Sequence, residues 1–363
     1  MTQPIDSRDV DVAVIGAGQA GLSTAYFLRR FGFAPGSGLV VLDADDAPGG
    51  AWRHRAGSLT LAKVHGIFRL PGSTFEPPDD DRGRPVSDVV PAYFAAYERD
   101  TAIPVHRPVT VRSVTRDGDR LRVTADEGAW TARAVVNATG TWTRPYWPHY
   151  PGAAEFTGTQ LHYADYPGPA AFAGKRVVVV GGGHSAMHVL SEIADVAATT
   201  TWVTRRPPAF RDEPFTPELG RSVVALVEER VRAGLPPQSV VSVTGLTYTS
   251  AVREALAKGA LNRSPMFERL TPGGATWPDG SRIDADVVIW CTGFRPALGH
   301  LAPLHLREPG GGITMDGTRV VAEPRLHLVG YGPSASTIGA NRAGREAARA
   351  VRDLLTSDAE AAA

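Results

Sequence analysis

Two glycine clusters are the residues of this chain best suited to chemistry on a phosphate. Gly16-Ala17-Gly18-Gln19-Ala20-Gly21 has the spacing GxGxxG, and Gly181-Gly182-Gly183-His184-Ser185-Ala186 has GxGxxA. In each, the first glycine permits a tight turn and the second lets a pyrophosphate approach the backbone. The third small residue lets a helix pack close to a strand. The helix start then offers free N–H groups to the anion. The two clusters differ in the residues downstream of them. Asp43, with Ala44 behind it, stands 27 residues after Gly16 and is suited to accept hydrogen bonds from a ribose diol. Arg205 and Arg206 hold the equivalent place in the second segment, where guanidinium groups favour a ribose 2′-phosphate. The first cluster reads as a site for FAD, the second as one for NADPH in preference to NADH. A bare glycine turn and a solvated arginine pair would look the same in isolation, so the flanking elements decide.

Those elements are in place. A strand over Val10–Ile15, a helix over Gly21–Phe31 and a strand over Leu39–Leu42 make one βαβ unit. A strand over Val177–Val180, a helix over Ser185–Ala194 and a strand over Thr200–Val203 make a second, about 165 residues on. The fold class is therefore α/β with two dinucleotide-binding, Rossmann-like domains. Between them, Arg107–Val136 alternates as short strands broken at Asp117-Gly118-Asp119, and Pro/Gly-rich linkers surround 145–152 and 167–174. Helices are expected over Pro217–Ala233, Ser250–Ala260 and Thr337–Leu355, a hairpin over Gly273–Ile283, an apolar strand over Asp286–Cys291 and a frayed tail from Ser357.

Composition narrows the function. Lys+Arg and Asp+Glu both number 38, so nothing argues for nucleic acid. The N-terminus lacks an apolar signal core and no run approaches the roughly 20 residues that span a bilayer, so a cytoplasmic protein acting on a small molecule, without membrane partners, is expected. The single cysteine, Cys291, cannot form a dithiol relay and reads as a small buried residue. His184 and His188 are spaced i,i+4 but sit at the glycine loop, and no metal site is expected. A homo-oligomer is left open.

Four further features resemble the class B flavoprotein monooxygenases, which include flavin-containing, N-hydroxylating and Baeyer–Villiger monooxygenases. They are the glycine pair itself; Gly49-Gly50-Ala51-Trp52, similar to the family's GG-x-W; Phe156 to Tyr166, matching F-x-G-x-x-x-H-x-x-x-[YFW]; and Ala138-Thr139-Gly140 with Cys291-Thr292-Gly293, similar to its ATG segments. The resemblance implies a discontinuous FAD domain, 1–150 and 285–363, with the NADPH domain, 151–284, inserted. It implies that NADPH reduces FAD, that a C4a-(hydro)peroxyflavin forms with dioxygen, and that oxygen passes to a small molecule. Tyr166, where Baeyer–Villiger enzymes usually carry Trp, tilts the acceptor toward nitrogen or sulfur. By the same resemblance Trp52 walls the flavin, Gly330 to Ser336 and Thr337 pass the ring, and His162 positions the second nucleotide. The family's flavin-side Asn is missing from Leu61–Gly66, leaving His65 or Lys63 as candidates to face the flavin. A flavoprotein reductase without oxygen insertion and a non-enzymatic nucleotide sensor are the competing readings.

Overall fold

The computed structural model describes residues 7–64, 67–76, 82–211, 217–237 and 245–361. His65 lies outside the described residues, as does the side chain of Thr337.

β1 (Ser7–Ile15), α1 (Gln19–Arg30) and β2 (Leu39–Leu42) form the first βαβ unit. From Val12 to Ile15 every residue of β1 is buried, as a parallel strand covered on both faces requires. β1 pairs in parallel with β2 at Ile15↔Leu42. α2 (Val86–Thr101) then leads to β3 (Val105–His106), which extends the sheet beside β2. β4 (Val111–Asp117), β5 (Arg120–Ala125) and β6 (Gly128–Asn137) form an antiparallel meander. β6 returns alongside β1, Ile15↔Asn137, and on its other side pairs in parallel with Glu323–Leu328. α1 buries Leu22, Ala25 and Leu28 and packs on the C-terminal helix Thr337–Ala361 through its alanines 340, 343 and 347. The helices meet closely because Gly344 faces Ser23, whose Oγ would stand 2.8 Å from a Cβ there.

The second sheet is wholly parallel. β7 (Thr159–His162) sits at one edge, followed in chain order by β8 (Arg176–Val180), α3 (His184–Ile193) and β9 (Thr199–Thr204). The strand order is Arg263–Pro265, β9, β8, Val287–Trp290, β7. Val287–Trp290 thus lies between β8 and β7, so the chain leaves this sheet after 290 rather than at the expected 285. Asp286 ties the strand's entrance to Arg176, whose guanidinium reaches its carboxylate at 2.7 Å.

The stretch 86–101, for which no element was set out from the sequence, is α2, because Val86, Val89, Val90, Tyr93, Phe94 and Tyr97 share one helical face and all become buried. One expectation is corrected. The tail does not fray at Ser357: the last helix continues to Ala361.

Candidate active site

Each glycine of the first loop answers a different contact. Gly16 has φ +100°, and a Cβ there would stand 2.7 Å from the carbonyl oxygen of Ala138; one on Gly21 would stand 1.8 Å from that of Gly16. Both are steric requirements of packing β1, α1 and β6 together. Gly18 is different: the nearest atom to its Cβ position is Gly50 Cα, 4.0 Å away. Gly18 therefore leaves a path open to the backbone. No side chain caps α1, so its first-turn N–H groups face that path.

The path is the floor of a cleft of about 500 Å³, within the range of small-molecule sites, roughly 300–1,000 Å³. Gly16, Gly18, Gln19, Ala20, Asp43, Ala44, Gly50, Ala51, Trp52, Thr139, Gly140, Gly330 and Ser336 all line it, so the structure brings together most of the residues singled out in the first unit. Gly21 lies beneath the loop. Ser336 Oγ accepts from Gly339 N–H at 3.1 Å and so starts the C-terminal helix at the cleft.

Polar partners from distant segments shape this cleft. Asp43 is buried, and Arg107 donates to its Oδ2 at 2.8 Å while gripping Glu98 with two further bonds of 2.7 Å. Burial raises the Asp43 carboxyl above its usual range and Arg107 opposes that. Thr139 Oγ1 donates to the carbonyl of Ala297. His300 lies 2.7 Å from Asn137 Oδ1, and burial pushes its pKa down to about 4, so it is neutral near pH 7. Gln19 Nε2 donates to Asn341 Oδ1 at 2.8 Å and to the carbonyl of Phe68. Its Oε1 is buried without a hydrogen-bond partner among the described residues, an acceptor that a ligand bearing O–H or N–H groups would satisfy.

The second loop repeats the first. Gly181 has φ +142°, and its Cβ would stand 2.3 Å from the carbonyl oxygen of Cys291, while Gly183 meets nothing within 4 Å. Ala186 fills the third position, fully buried. Trp202 Nε1 donates to the carbonyl of Gly181. His184 and Ser185 open α3. Arg205 and Arg206 are exposed just past β9, where Arg263 braces the turn by donating to Thr204 Oγ1 at 2.7 Å.

His162 does not line the cleft. Its Nδ1 accepts from Ala164 N–H and its Nε2 donates to the carbonyl of Gly293, both at 3.0 Å. Neither nitrogen is left for proton transfer, and burial lowers its pKa. The ring holds the turn at Thr292 and Gly293, whose other bonds are Thr292 Oγ1 to Tyr146 O and Tyr146 N–H to Gly293 O.

Sequence reasoning missed the contacts that join the two units. Arg55, from the segment after Trp52, shares a hydrogen bond with Tyr163. Tyr163 in turn lies 3.2 Å from His188 Nδ1. Lys63 donates to Glu192 Oε1 at 2.6 Å, and Tyr166 donates to Oε2 at 3.0 Å. Burial pushes the Glu192 carboxyl up, but His188 at 3.1 Å together with Lys63 and Ser58 outweighs it and holds the pKa at about 2. An aromatic strip runs alongside: Trp142 stacks on Phe294 at 4.9 Å, and Phe294 meets His162 edge-on at 5.0 Å. The i,i+4 pair read from the sequence was His184 and His188; Glu192, one turn beyond His188, was not singled out, and its long-range partners have no periodicity.

Several known proteins share this architecture. The model of the pyridine nucleotide-disulphide oxidoreductase family matches residues 13–317. A flavin-containing monooxygenase from Stenotrophomonas maltophilia superposes with a TM-score of 0.81 at 41% sequence identity, covering 96% of this chain and 99% of that one. An uncharacterized CzcO-like oxidoreductase of Geobacillus kaustophilus is 26% identical over 291 residues, 78% of this chain and 80% of the relative. Indole-3-pyruvate monooxygenase YUCCA4 of Oryza sativa is 27% identical over 348 residues, 80% of this chain and 77% of the relative.

Proposed function

The chain belongs to the pyridine nucleotide-disulphide oxidoreductase family and, within it, to the class B flavoprotein monooxygenases, and on that premise we propose an enzyme that uses FAD, NADPH and dioxygen to oxygenate a small molecule at nitrogen or sulfur. The observation that carries this reading is a pair of glycine loops, each in a parallel βαβ unit of its own sheet and joined through Arg55–Tyr163 and Lys63–Glu192, in a chain with one cysteine. The dithiol that would pass electrons to a disulfide needs two cysteines. A flavin is left to hand its electrons elsewhere.

The residues fit both cofactors. The open Gly18, the uncapped α1 and the orphaned Gln19 acceptor suit FAD in the cleft, with Asp43 toward its ribose. The segments up to about 150 and after 290 would hold it. Trp52, Thr139, Gly140 and Gly330 would surround it, and the helix start at Ser336 and Thr337 sets a positive dipole end there. Gly181, Gly183, His184, Ser185 and Ala186 would hold the NADPH pyrophosphate, with Arg205 and Arg206 on its 2′-phosphate. FAD, once reduced by NADPH, supplies the activation of dioxygen. His162 holds the Gly293 turn, and Phe294, next in the chain, stacks on Trp142.

The test is a screen of amines and sulfides with NADPH under ¹⁸O₂, scored by labelled product. One labelled oxygen per NADPH consumed is expected with an accepted substrate. Quantitative hydrogen peroxide without labelled product, for every substrate class, would overturn the monooxygenase reading.

A further inference from the structure

The cleft holds a positive charge that no carboxylate among the described residues answers. Arg55 lines it, beside Trp52, His54 and Trp142. The guanidinium carbon lies 4.3 Å from the ring centroid of Trp142 and 5.8 Å from that of Trp52. Its Nε is buried without a hydrogen-bond partner among the described residues. The side chain's one polar partner among the described residues is the Tyr163 hydroxyl. The contrast with other enclosed arginines is sharp. Arg107 is matched by Asp43 and Glu98, and Arg325 by Glu323. Glu192, the acid of the adjoining network, is already engaged by Lys63 and Tyr166. His54 is likewise taken, 2.9 Å from Asp45.

A cation removed from water without a counter-ion is costly, and a ligand that brings the opposite charge recovers that cost. The phosphates of two dinucleotides have their own seats at the glycine loops and the Arg205–Arg206 pair. Trp142 lies against the Arg55 guanidinium, whose fork of N–H donors has an edge that matches a carboxylate. A planar carboxylate accepts a pair of parallel bonds from that edge. The surroundings are aromatic: Trp142 is stacked between Phe294 at 4.9 Å and His54 at 6.4 Å. An aromatic ring attached to the carboxylate would find matching walls.

We propose that Arg55 and Trp142 form a substrate subsite for an aromatic carboxylate. The substrate class is then a small arylalkyl acid that also carries the nitrogen or sulfur to be oxygenated. The proposal rests on the cleft being the oxygenating site for its meaning, and its test does not depend on oxygenation. Purified full-length protein with FAD bound is titrated by calorimetry with phenylacetate and with its neutral analogue phenylacetamide. Phenylacetate is expected to bind about tenfold or more tightly than the amide, the gain of a charged hydrogen-bond pair. Arg55→Met should abolish that preference and Arg55→Lys should keep part of it, with stoichiometric FAD in both variants showing that the fold is intact. Equal affinity for the two probes in the wild type, or an undiminished preference in Arg55→Met, overturns the subsite. So does an Arg55→Met variant that keeps the preference but shows an altered flavin midpoint potential or a loss of NADP⁺ affinity, for then the cation answers a cofactor. A carboxylate preference that depends on Arg55, in a protein yielding no ¹⁸O-labelled product, leaves the subsite standing and removes the monooxygenase reading instead.

Discussion

Replacing Glu192 with Gln tests the joint between the two units. The side chain is 3% exposed, sits on the nucleotide helix α3, and is flanked by His188 at 3.1 Å and by Lys63 at 2.6 Å. Its pKa of about 2, against an ordinary 4.5, corresponds to about 3 kcal/mol of native-state stabilisation at neutral pH, at about 1.4 kcal/mol per unit. The folded pKa is depressed, so this contribution is complete above about pH 4.5 and is lost as pH falls toward 2. Glu192→Gln keeps the shape and one hydrogen-bonding oxygen for Tyr166 but removes the charge. It leaves Lys63 without its carboxylate, although Lys63 is 23% exposed and recovers some hydration, which places the cost at the lower end of roughly 3–5 kcal/mol.

The assay is urea unfolding of the FAD-loaded protein followed by tryptophan fluorescence. Trp202 and Trp290 both lie buried in the second sheet and report on it. At pH 7 the variant's midpoint should fall by an amount equivalent to about 3 kcal/mol, and the gap to the wild type should narrow steadily below pH 4.5. Lys63→Met alone should be destabilising, and the double variant should lose less than the sum of the two, because the second change removes a charge already stranded by the first. Strict additivity, or a gap that stays constant as pH falls from 4.5 toward 2, would refute the ion pair as the source of the joint's strength.

Three further outcomes are expected. Arg205→Ala with Arg206→Ala should raise the KM for NADPH about tenfold or more while leaving that for NADH little changed; steady-state kinetics with both nucleotides check this, and equal losses would remove the 2′-phosphate assignment. Gly18→Val fills the only open Cβ position among the three glycines of the first loop, so the purified variant should fold yet carry little FAD, as read by its absorbance spectrum. His327 is buried with a pKa lowered to about 4, so the unfolded chain takes up its proton first as pH drops; native stability should decline between about pH 6.5 and 4, and His327→Gln should flatten that decline in thermal melts.

How much of this was legible depended on whether the cause was local. The glycine loops were, because Gly16, Gly21 and Gly181 are dictated by contacts of a strand–turn–helix whose elements the apolar runs already announce. Asp43 was legible at its strand end, but its anchor was not: Arg107 lies 64 residues away and its second acid, Glu98, stands on the helix hidden by Pro91. Arg55 gave no signal and Lys63 stood only as a candidate to face the flavin for the same reason, since their partners Tyr163 and Glu192 belong to the second unit.

The segment from Phe156 to Tyr166 shows what a spaced motif encodes when its contacts are non-local. Phe156 is buried under the second sheet, and Gly158 must be glycine because a Cβ would stand 2.5 Å from the carbonyl oxygen of Asp286 and as close to the Phe156 ring. His162, four residues on, reaches the Gly293 turn on the strand that follows. Tyr166, four further, leaves the strand and reaches Glu192 on α3. Each motif position therefore attaches the linker to a different piece: the strand Val287–Trp290, the turn after it, and the nucleotide helix held by Lys63. None of these side chains meets the cleft. On that geometry the motif governs how the second unit is set against the first. A variant such as His162→Ala should accordingly disturb NADPH-driven flavin reduction in anaerobic rapid mixing more than it disturbs FAD content. Loss of FAD with an unchanged reduction rate in the remaining holoenzyme would contradict that division of roles.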